Sequence, residues 1–449
     1  MSIFHAYDIR GIFQEDFDEK TAYRIGFYLP AVLNSNNILV GRDCRLSSPV
    51  IFSRLCEGIN DAGADVSDAG LTTTPMIYWA TAKFGFSASV MITASHNPKT
   101  YNGFKVSSEN ALPVGYDNGL NRLEKLVFNN SEIESVPKKG ETRQFEFIDE
   151  YLTFQKKYLD FDNQLKIAVD CSNGMSGLFA RKLYGESNIV YLNEQPDGNF
   201  PGHDPNPLNP ENVKQLQNAV VENNCDLGII FDGDADRVMF VDENGRFVPP
   251  DLIIGLMAPY FLKKSDSAEN VLQDIRTSRS VTEYIERLGG AMHMWRVGRA
   301  YAALKLREID GIYGGELAGH YYFRDFYYSD SAFMAASIVL NLLNSAKKSG
   351  KQFSQKISEI KVYANSGEIN FRIEQKKEAM TVVRDYFLKN DSPTAYFDFD
   401  GFRVEFSTWW FNIRPSNTEP YLRLLVEASN PEKLRDKLNI IRSILKKYE

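Results

Sequence analysis

Three stretches of this chain repeat one grammar, and that repeat limits the possible folds. They are NILVGRDCRLSSPVIFSRLCEGINDAGADV (37–66), LKIAVDCSNGMSGLFARKLYG (165–185) and NVLQDIRTSRSVTEYIERLGG (270–290). In each, an apolar run ends at an aspartate (Asp43, Asp170 or Asp274), and a serine or threonine close behind opens a segment with helical spacing. Near-continuous apolar strands followed by helices predict sheets covered on both faces. At 449 residues the chain exceeds what one core can organise, so several domains are required.

The C-terminal segment has another grammar. AYFDFDGFRVEF (395–406) predicts a hairpin turning at Asp400–Gly401, and Leu434, Leu438, Ile441, Leu445 and Tyr448 share one face of a final helix. The expected fold is therefore α/β: three similar mixed- or parallel-sheet α/β domains plus a smaller C-terminal α+β domain. The expected boundaries are 1–144, 145–243, 244–358 and 359–449, with the polar stretch 132–147 at the first junction.

Bulk properties exclude some classes. The charge balance, 51 Lys+Arg against 59 Asp+Glu, gives −8, which argues against a nucleic-acid partner. Cys44, Cys56, Cys171 and Cys225 are scattered without a CxxC pair, as expected of reduced thiols in a cytoplasm rather than a disulfide framework or zinc site. The start MSIFHAYDIRG lacks the pattern of a secretory signal, and no unbroken apolar run is long enough to span a bilayer. A cytoplasmic protein with no membrane partner is expected.

The most informative stretch is CDLGIIFDGDADRVMFVDENGRFV (225–248). Asp232, Asp234 and Asp236 alternate directly after an apolar strand, and Arg237 closes the group. Carboxylates this close repel unless a cation sits among them, and hard oxygen donors suit Mg²⁺ or Ca²⁺ better than zinc. An EF-hand loop fits the acidic spacing in part, but Arg237 stands where that loop needs glycine, and the flanks read as strands. Three protein ligands leave Mg²⁺ positions for water and a phosphate oxygen. Ser95, in VMITASHNPKTYNGFKV (90–106), follows an apolar strand and is placed to carry such a phosphoryl group, although a strand ending in a polar turn gives the same local pattern.

Further candidates lie in two loops and among separate arginines. WWFNIRPSNTEPYLRLLVEA (409–428) gathers Arg414, Ser416, Asn417 and Thr418 between two apolar strands, either as an anion cradle or as a capped turn. GIYGGELAGHYYFRD (311–325) sets Glu316 and His320 four apart, on one helical face or around one tight loop, where they can meet vicinal sugar hydroxyls, although a helix N-terminus with glycines for close packing gives the same local pattern. Arg296, Arg299 and Arg10 are further cations, each by itself no more than a surface charge.

TASHNP, NGFK, DGDADR, GELAGH and RPSNTEP, in that order, resemble the α-D-phosphohexomutase superfamily over the whole chain, and its bacterial phosphomannomutase/phosphoglucomutase group in particular. The resemblance implies four domains around a central cleft. It also implies that Ser95 is phosphorylated, that Mg²⁺ is held by that group with Asp232, Asp234 and Asp236, and that Arg237 lies beside the phosphoserine. His96 and Lys105 then support proton transfer, Glu316 and His320 read sugar hydroxyls, and Arg414, Ser416, Asn417 and Thr418 grip the phosphate that is not transferred.

Two departures stand out. Ala318 replaces a serine of many relatives, which removes a hydroxyl contact. Arg299 replaces a histidine of some, a cation that strengthens phosphate binding or favours another sugar.

The implied reaction converts mannose 6-phosphate to mannose 1-phosphate, with glucose phosphates as further substrates. It runs through a hexose 1,6-bisphosphate, which also serves as activator. Either Lys105, with its pKa lowered by neighbouring cations, or His320 is the base. The alternatives are a phosphoglucosamine mutase, against which Asn417 argues, a non-catalytic sugar-phosphate-binding paralogue, and a metal-dependent phosphatase.

Overall fold

The structure is a computed structural model, and it describes residues 2–129, 136–160, 164–262, 268–416 and 421–449. Asn417, Thr418 and part of the junction 132–147 lie outside the described residues. Four sheets succeed one another along the chain.

The first three sheets share a plan centred on the repeated segments. In the first, Asn37–Arg42 lies between parallel partners Asp65–Leu71 and Ala88–Ile92. In the second, Ile167–Asp170 lies between Ile189–Leu192 and Leu227–Phe231, again parallel to both. In the third, Asn270–Asp274 lies between Ala291–Trp295 and Tyr313–Gly315. In every case the second of these partners then turns back into an antiparallel strand: Tyr101–Ser108, Val238–Asp242 and Tyr321–Phe323 respectively. The loops that make these three turns carry TASHNP, DGDADR and GELAGH. The sheets are thus mixed, and one topology places three motif loops at equivalent positions. Thr142–Gln144 still pairs on the first sheet, and Phe247–Val248 on the second.

The fourth sheet is wholly antiparallel, and its central hairpin, Trp409–Pro415 with Tyr421–Ala428, brackets RPSNTEP. The hairpin expected at 395–406 forms with a longer connection than a two-residue turn. Ala395–Phe397 pairs with Phe402–Glu405, which leaves residues 398–401 as the loop. Phe399 leaves the strand to stack on Trp295 of the third domain, with centroids 5.5 Å apart. Asp400 likewise accepts from the Val297 amide at 2.8 Å.

Helix Thr74–Lys83 is apolar on all sides, and it is buried from Thr74 to Thr81 because it lies between domains rather than on a surface. Its Trp79 packs on Tyr151 and Phe154, and one continuous core joins it to Phe231 of the second domain and Phe333 of the third. The fourth domain has a separate core of Phe387, Trp409, Phe411 and neighbours, closed by Ile441 and Leu445 of the last helix. Among the described residues, no helix is long and apolar enough to cross a membrane.

Candidate active site

Ser95 is set in its loop by strain and by bonds. Its φ of 52° is left-handed, a conformation that costs a non-glycine residue about 1–3 kcal/mol and persists only where the surroundings impose it. Its amide donates to Thr93 Oγ1 at 2.9 Å. Its hydroxyl donates to Asp232 Oδ2 at 2.8 Å, and Arg237 Nη2 donates to the same hydroxyl at 3.2 Å. Two domains therefore meet at one buried oxygen. Gly233 makes the approach possible, since a Cβ there would lie 2.5 Å from the Ser95 carbonyl oxygen.

The acidic loop joins the antiparallel strands Leu227–Phe231 and Val238–Asp242, which is not an EF-hand. Asp232 Oδ1 accepts from the amides of Asp236 and Arg237, both at 3.2 Å. Arg237 Nε reaches Asp232 Oδ2 at 3.0 Å, and Lys105 Nζ bridges Asp234 at 2.6 Å and Asp236 at 2.5 Å. The three carboxylates are buried, and each offers an oxygen within 4.8 Å of the others. Asp234 Oδ1 and Asp236 Oδ1 are buried without any hydrogen-bond partner. Unsatisfied anionic oxygens converging in a buried site fit a small hard divalent cation, since burial without a partner is otherwise costly.

The protonation pattern follows from this crowding. Burial, with repulsion from Asp236 and Asp234, raises Asp232 to about 7. Burial acts the same way on Asp236, but Lys105, His320 and Arg237 outweigh it and hold that carboxyl well below the usual range. Burial opposes the charge on Lys105, yet Asp234 and Asp236 raise its pKa far above that of an ordinary lysine. The lowering expected from neighbouring cations is therefore reversed, because two carboxylates sit closer. Burial, Arg237 and Arg10 push His96 well below its usual value. A neutral ring leaves Nδ1 free to accept from Arg237 Nη2, as it does here.

The third domain brings up the other half of the site. Glu316 and His320 lie around a tight hairpin loop, not on a helix: the Glu316 amide donates to the His320 carbonyl at 2.9 Å. Glu316 accepts from the Gly298 amide at 3.2 Å and the Tyr322 hydroxyl at 2.6 Å. His320 Nδ1 lies 2.7 Å from Asp330 Oδ2 and 3.9 Å from Asp236 Oδ1. Burial lowers the pKa of this imidazole, but Asp236 and Asp330 prevail and it is raised. Ala318 is half-buried in the same loop.

The arginines have distinct settings. Arg299 lies over the Tyr78 ring at 3.4 Å and contacts Asp330 Oδ1 at 3.4 Å. Arg296 lies over Tyr301 at 4.0 Å, and Arg10 donates to Asn97 Oδ1 beside Ser95 at 2.7 Å. In the fourth domain Arg414 Nε contacts Asp400 Oδ1 at 3.2 Å, and Ser416 follows it, its amide bonded to the Tyr421 carbonyl at 2.8 Å. Asp400 in turn holds Val297, whose carbonyl accepts from the Tyr7 hydroxyl at 3.3 Å. Ser95, the acidic loop, His320, the Gly298 turn and Arg414 are thus drawn together across all four domains.

Sequence reasoning missed Asp330, which orients His320, and Thr74 and Tyr78, which come from the buried helix. It also missed Arg45, whose guanidinium donates to the carbonyls of the Ser95 loop. Asp-x-Arg, present at 43–45 and again at 274–276, marks an arginine after each strand end but not where its guanidinium goes.

Comparison with known proteins agrees with this geometry. The chain matches all four domains of phosphoglucomutase/phosphomannomutase: alpha/beta/alpha domain I over 1–134, domain II over 146–245, domain III over 249–363 and the C-terminal domain over 368–442. The chain belongs to the phosphoglucomutase/phosphomannomutase family and is an enzyme of the isomerase class, a phosphohexomutase.

Among its relatives are the phosphomannomutases of Methanocaldococcus jannaschii, 35% identical over 100% of this chain and 98% of that one, and of Vibrio cholerae, 36% identical over 100% and 99%. A crystal structure of a phosphoglucomutase/phosphomannomutase family protein from Burkholderia thailandensis superimposes with a TM-score of 0.89 at 28% identity, covering 99% of this chain and 97% of that one.

Proposed function

We propose that the protein interconverts mannose 6-phosphate and mannose 1-phosphate in the cytoplasm, accepts glucose phosphates as well, and transfers the phosphoryl group through Ser95. The names of the full-length relatives support mannose. The observation that carries the route is the meeting of Ser95 Oγ with Asp232 Oδ2 at 2.8 Å and Arg237 Nη2 at 3.2 Å, beside two unsatisfied carboxylate oxygens.

Asp232, Asp234, Asp236 and a phosphoryl oxygen on Ser95 would hold Mg²⁺, which when bound neutralises charge on the transferring group. The P–O bond to Ser95 breaks as one forms to the free sugar hydroxyl, giving a hexose 1,6-bisphosphate. The same compound serves as activator, by phosphorylating Ser95 at the outset. Arg237, already on Ser95 Oγ, stabilises that oxygen as it leaves.

His320 takes the hydroxyl proton. Asp330 fixes its Nδ1, which leaves Nε2 for the substrate, whereas Lys105 is committed to two carboxylates and serves as a charge. His96, beside Ser95 and held by Arg237, orients that guanidinium on the reacting oxygen. Glu316 and His320 read the sugar hydroxyls with no help from Ala318. Arg414, Ser416, Asn417 and Thr418 hold the distal phosphate, Arg296 and Arg299 lend positive charge to the bound substrate, and Arg10 does so beside Ser95. After transfer the bisphosphate turns end for end, the freed Ser95 oxygen attacks its other phosphate, and His320 returns its proton to the sugar oxygen that leaves.

The test is Ser95→Ala, assayed with mannose 1-phosphate and glucose 1,6-bisphosphate, with intact mass to follow phosphorylation. Turnover should fall by about 10⁴-fold or more, with the phosphorylated mass absent and Mg²⁺ still bound. Full activity in that variant refutes the route. Release of inorganic phosphate without isomerised sugar by the unmodified enzyme would indicate a phosphatase instead.

A further inference from the structure

In each of the first three domains, the residue two positions after the strand-end aspartate reaches the motif loop next door. The aspartate accepts that residue's amide in all three cases: Arg45 to Asp43 at 3.0 Å, Ser172 to Asp170 at 2.9 Å and Arg276 to Asp274 at 2.7 Å. Ser172 Oγ then donates to the Phe231 carbonyl just before the acidic loop, at 2.6 Å. Arg276 Nη2 points towards Glu316 Oε2 at 4.0 Å.

Arg45 takes this device furthest. Its Nη2 donates to the carbonyls of Ser95 at 2.9 Å and Asn97 at 2.7 Å, and its Nη1 to those of Pro98 at 2.7 Å and Tyr101 at 3.0 Å. Its Nε is held by Asp43 Oδ2 at 3.1 Å, and the Phe200 ring of the second domain covers it at 5.1 Å. The side chain is fully buried.

We propose that Arg45 is a positioning residue for phosphoryl transfer. The loop wraps its carbonyls around one fixed cation, and this is what imposes the left-handed backbone at Ser95 that aims the hydroxyl at Asp232 and Arg237. A planar fork with fixed donor directions suits four carbonyls at once, and a lysine ammonium with three donors cannot replace it. The inference rests on the phosphoserine reading above.

The experiment compares Arg45→Lys and Arg45→Met with the unmodified enzyme. It measures kcat and KM for mannose 1-phosphate, the fraction of Ser95 phosphorylated by glucose 1,6-bisphosphate from intact mass, and the thermal unfolding midpoint. The expected result is a kcat lowered by about 10²-fold in Arg45→Met and less in Arg45→Lys, with KM within roughly threefold, because a small misplacement of the reacting group costs rate rather than binding. Phosphorylation should slow in parallel.

If Arg45→Met does not fold, Arg45→Lys decides. Unchanged kcat in a folded variant, a rise confined to KM, or loss of the fold in both variants overturns the proposal. Ser95→Ala separates the two levels. If it stays active the phosphoserine reading falls, whereas an inactive Ser95→Ala beside normal Arg45 variants removes only this inference.

Discussion

The first three domains meet through Trp79, Tyr151, Phe179, Phe231 and Phe333, rings that belong to one shared core. The fourth meets the third mainly through charged and hydrogen-bonding groups, with one ring stack, Phe399 on Trp295. Arg403, stacked on Trp410 at 3.6 Å, donates across the boundary to the carbonyls of Ile275 at 2.7 Å and Thr277 at 2.8 Å. Arg279 reaches Glu405 at 3.2 Å, its amide meets Glu427 at 2.9 Å, and Arg276 reaches Glu368 at 3.3 Å.

Shared apolar burial is lost only by separating large surfaces, and packed interiors tolerate little displacement. A polar boundary can exchange its bonds for water, so movement of one domain over another is its ordinary behaviour. The serine and the acidic loop therefore sit on the rigid body, where a distance of a few ångströms must not vary. On the route proposed above, Arg414 sits on the domain with the polar boundary, where an intermediate that turns over calls for opening.

Replacing Trp79 should have the largest effect on this contrast. Trp79→Ala removes a ring common to three domains and should destabilise the protein by about 3–5 kcal/mol. Urea unfolding should lose one transition spanning all three. A local loss, with the second and third domains unfolding as before, would mean their cores are separable. Next is Arg414→Ala, which should raise KM for mannose 1-phosphate by about 10- to 100-fold with little change in kcat, the loss of one charge-assisted phosphate grip. An unchanged KM counts against the cradle.

Arg403→Met should act more weakly, raising KM roughly threefold while speeding hydrogen exchange in the strands Phe402–Glu405 and Trp409–Pro415. Exchange that speeds equally in the first domain would show that the polar boundary is no softer than the apolar one.

The asymmetry was only partly legible in the sequence. The acidic run and the serine loop declare themselves, because carboxylates at alternate positions after an apolar strand have few other uses. The strand-end aspartates marked where the repeated strands stop, but nothing in DCR or DIR says that a guanidinium will turn back under a loop fifty residues further on. Asp330 is equally silent. It becomes meaningful only when Ser329–Asp330 pairs with Tyr321–Phe323 and delivers a carboxylate to His320. Helix Thr74–Lys83 gave no helical stripe to read, since its partners lie on every side. Long-range contacts decided each of these cases, and local pattern holds no record of them.

The second domain supplies the smallest test. Its strand-end aspartate, Asp170, has no arginine two places on and binds His203 Nε2 at 3.1 Å, while His203 Nδ1 faces the Asp204 carbonyl at 2.8 Å. Burial disfavours the imidazolium, but the Asp170 bond and charge prevail and the pKa is raised above 6.5. When protonated, the ring is the cation beside the strand-end aspartate, as Arg45 and Arg276 are in the other repeats. Because the folded-state pKa exceeds the unfolded one, the added stability is complete below pH 6.5 and is lost as pH rises through the raised value. Unfolding free energy from urea titrations at successive pH values should decline across that window in the unmodified protein. In His203→Asn, which keeps a donor but cannot charge, that component should be absent. An identical pH dependence in both proteins would mean that Asp170 needs no cation, and that the second repeat differs in kind from the other two.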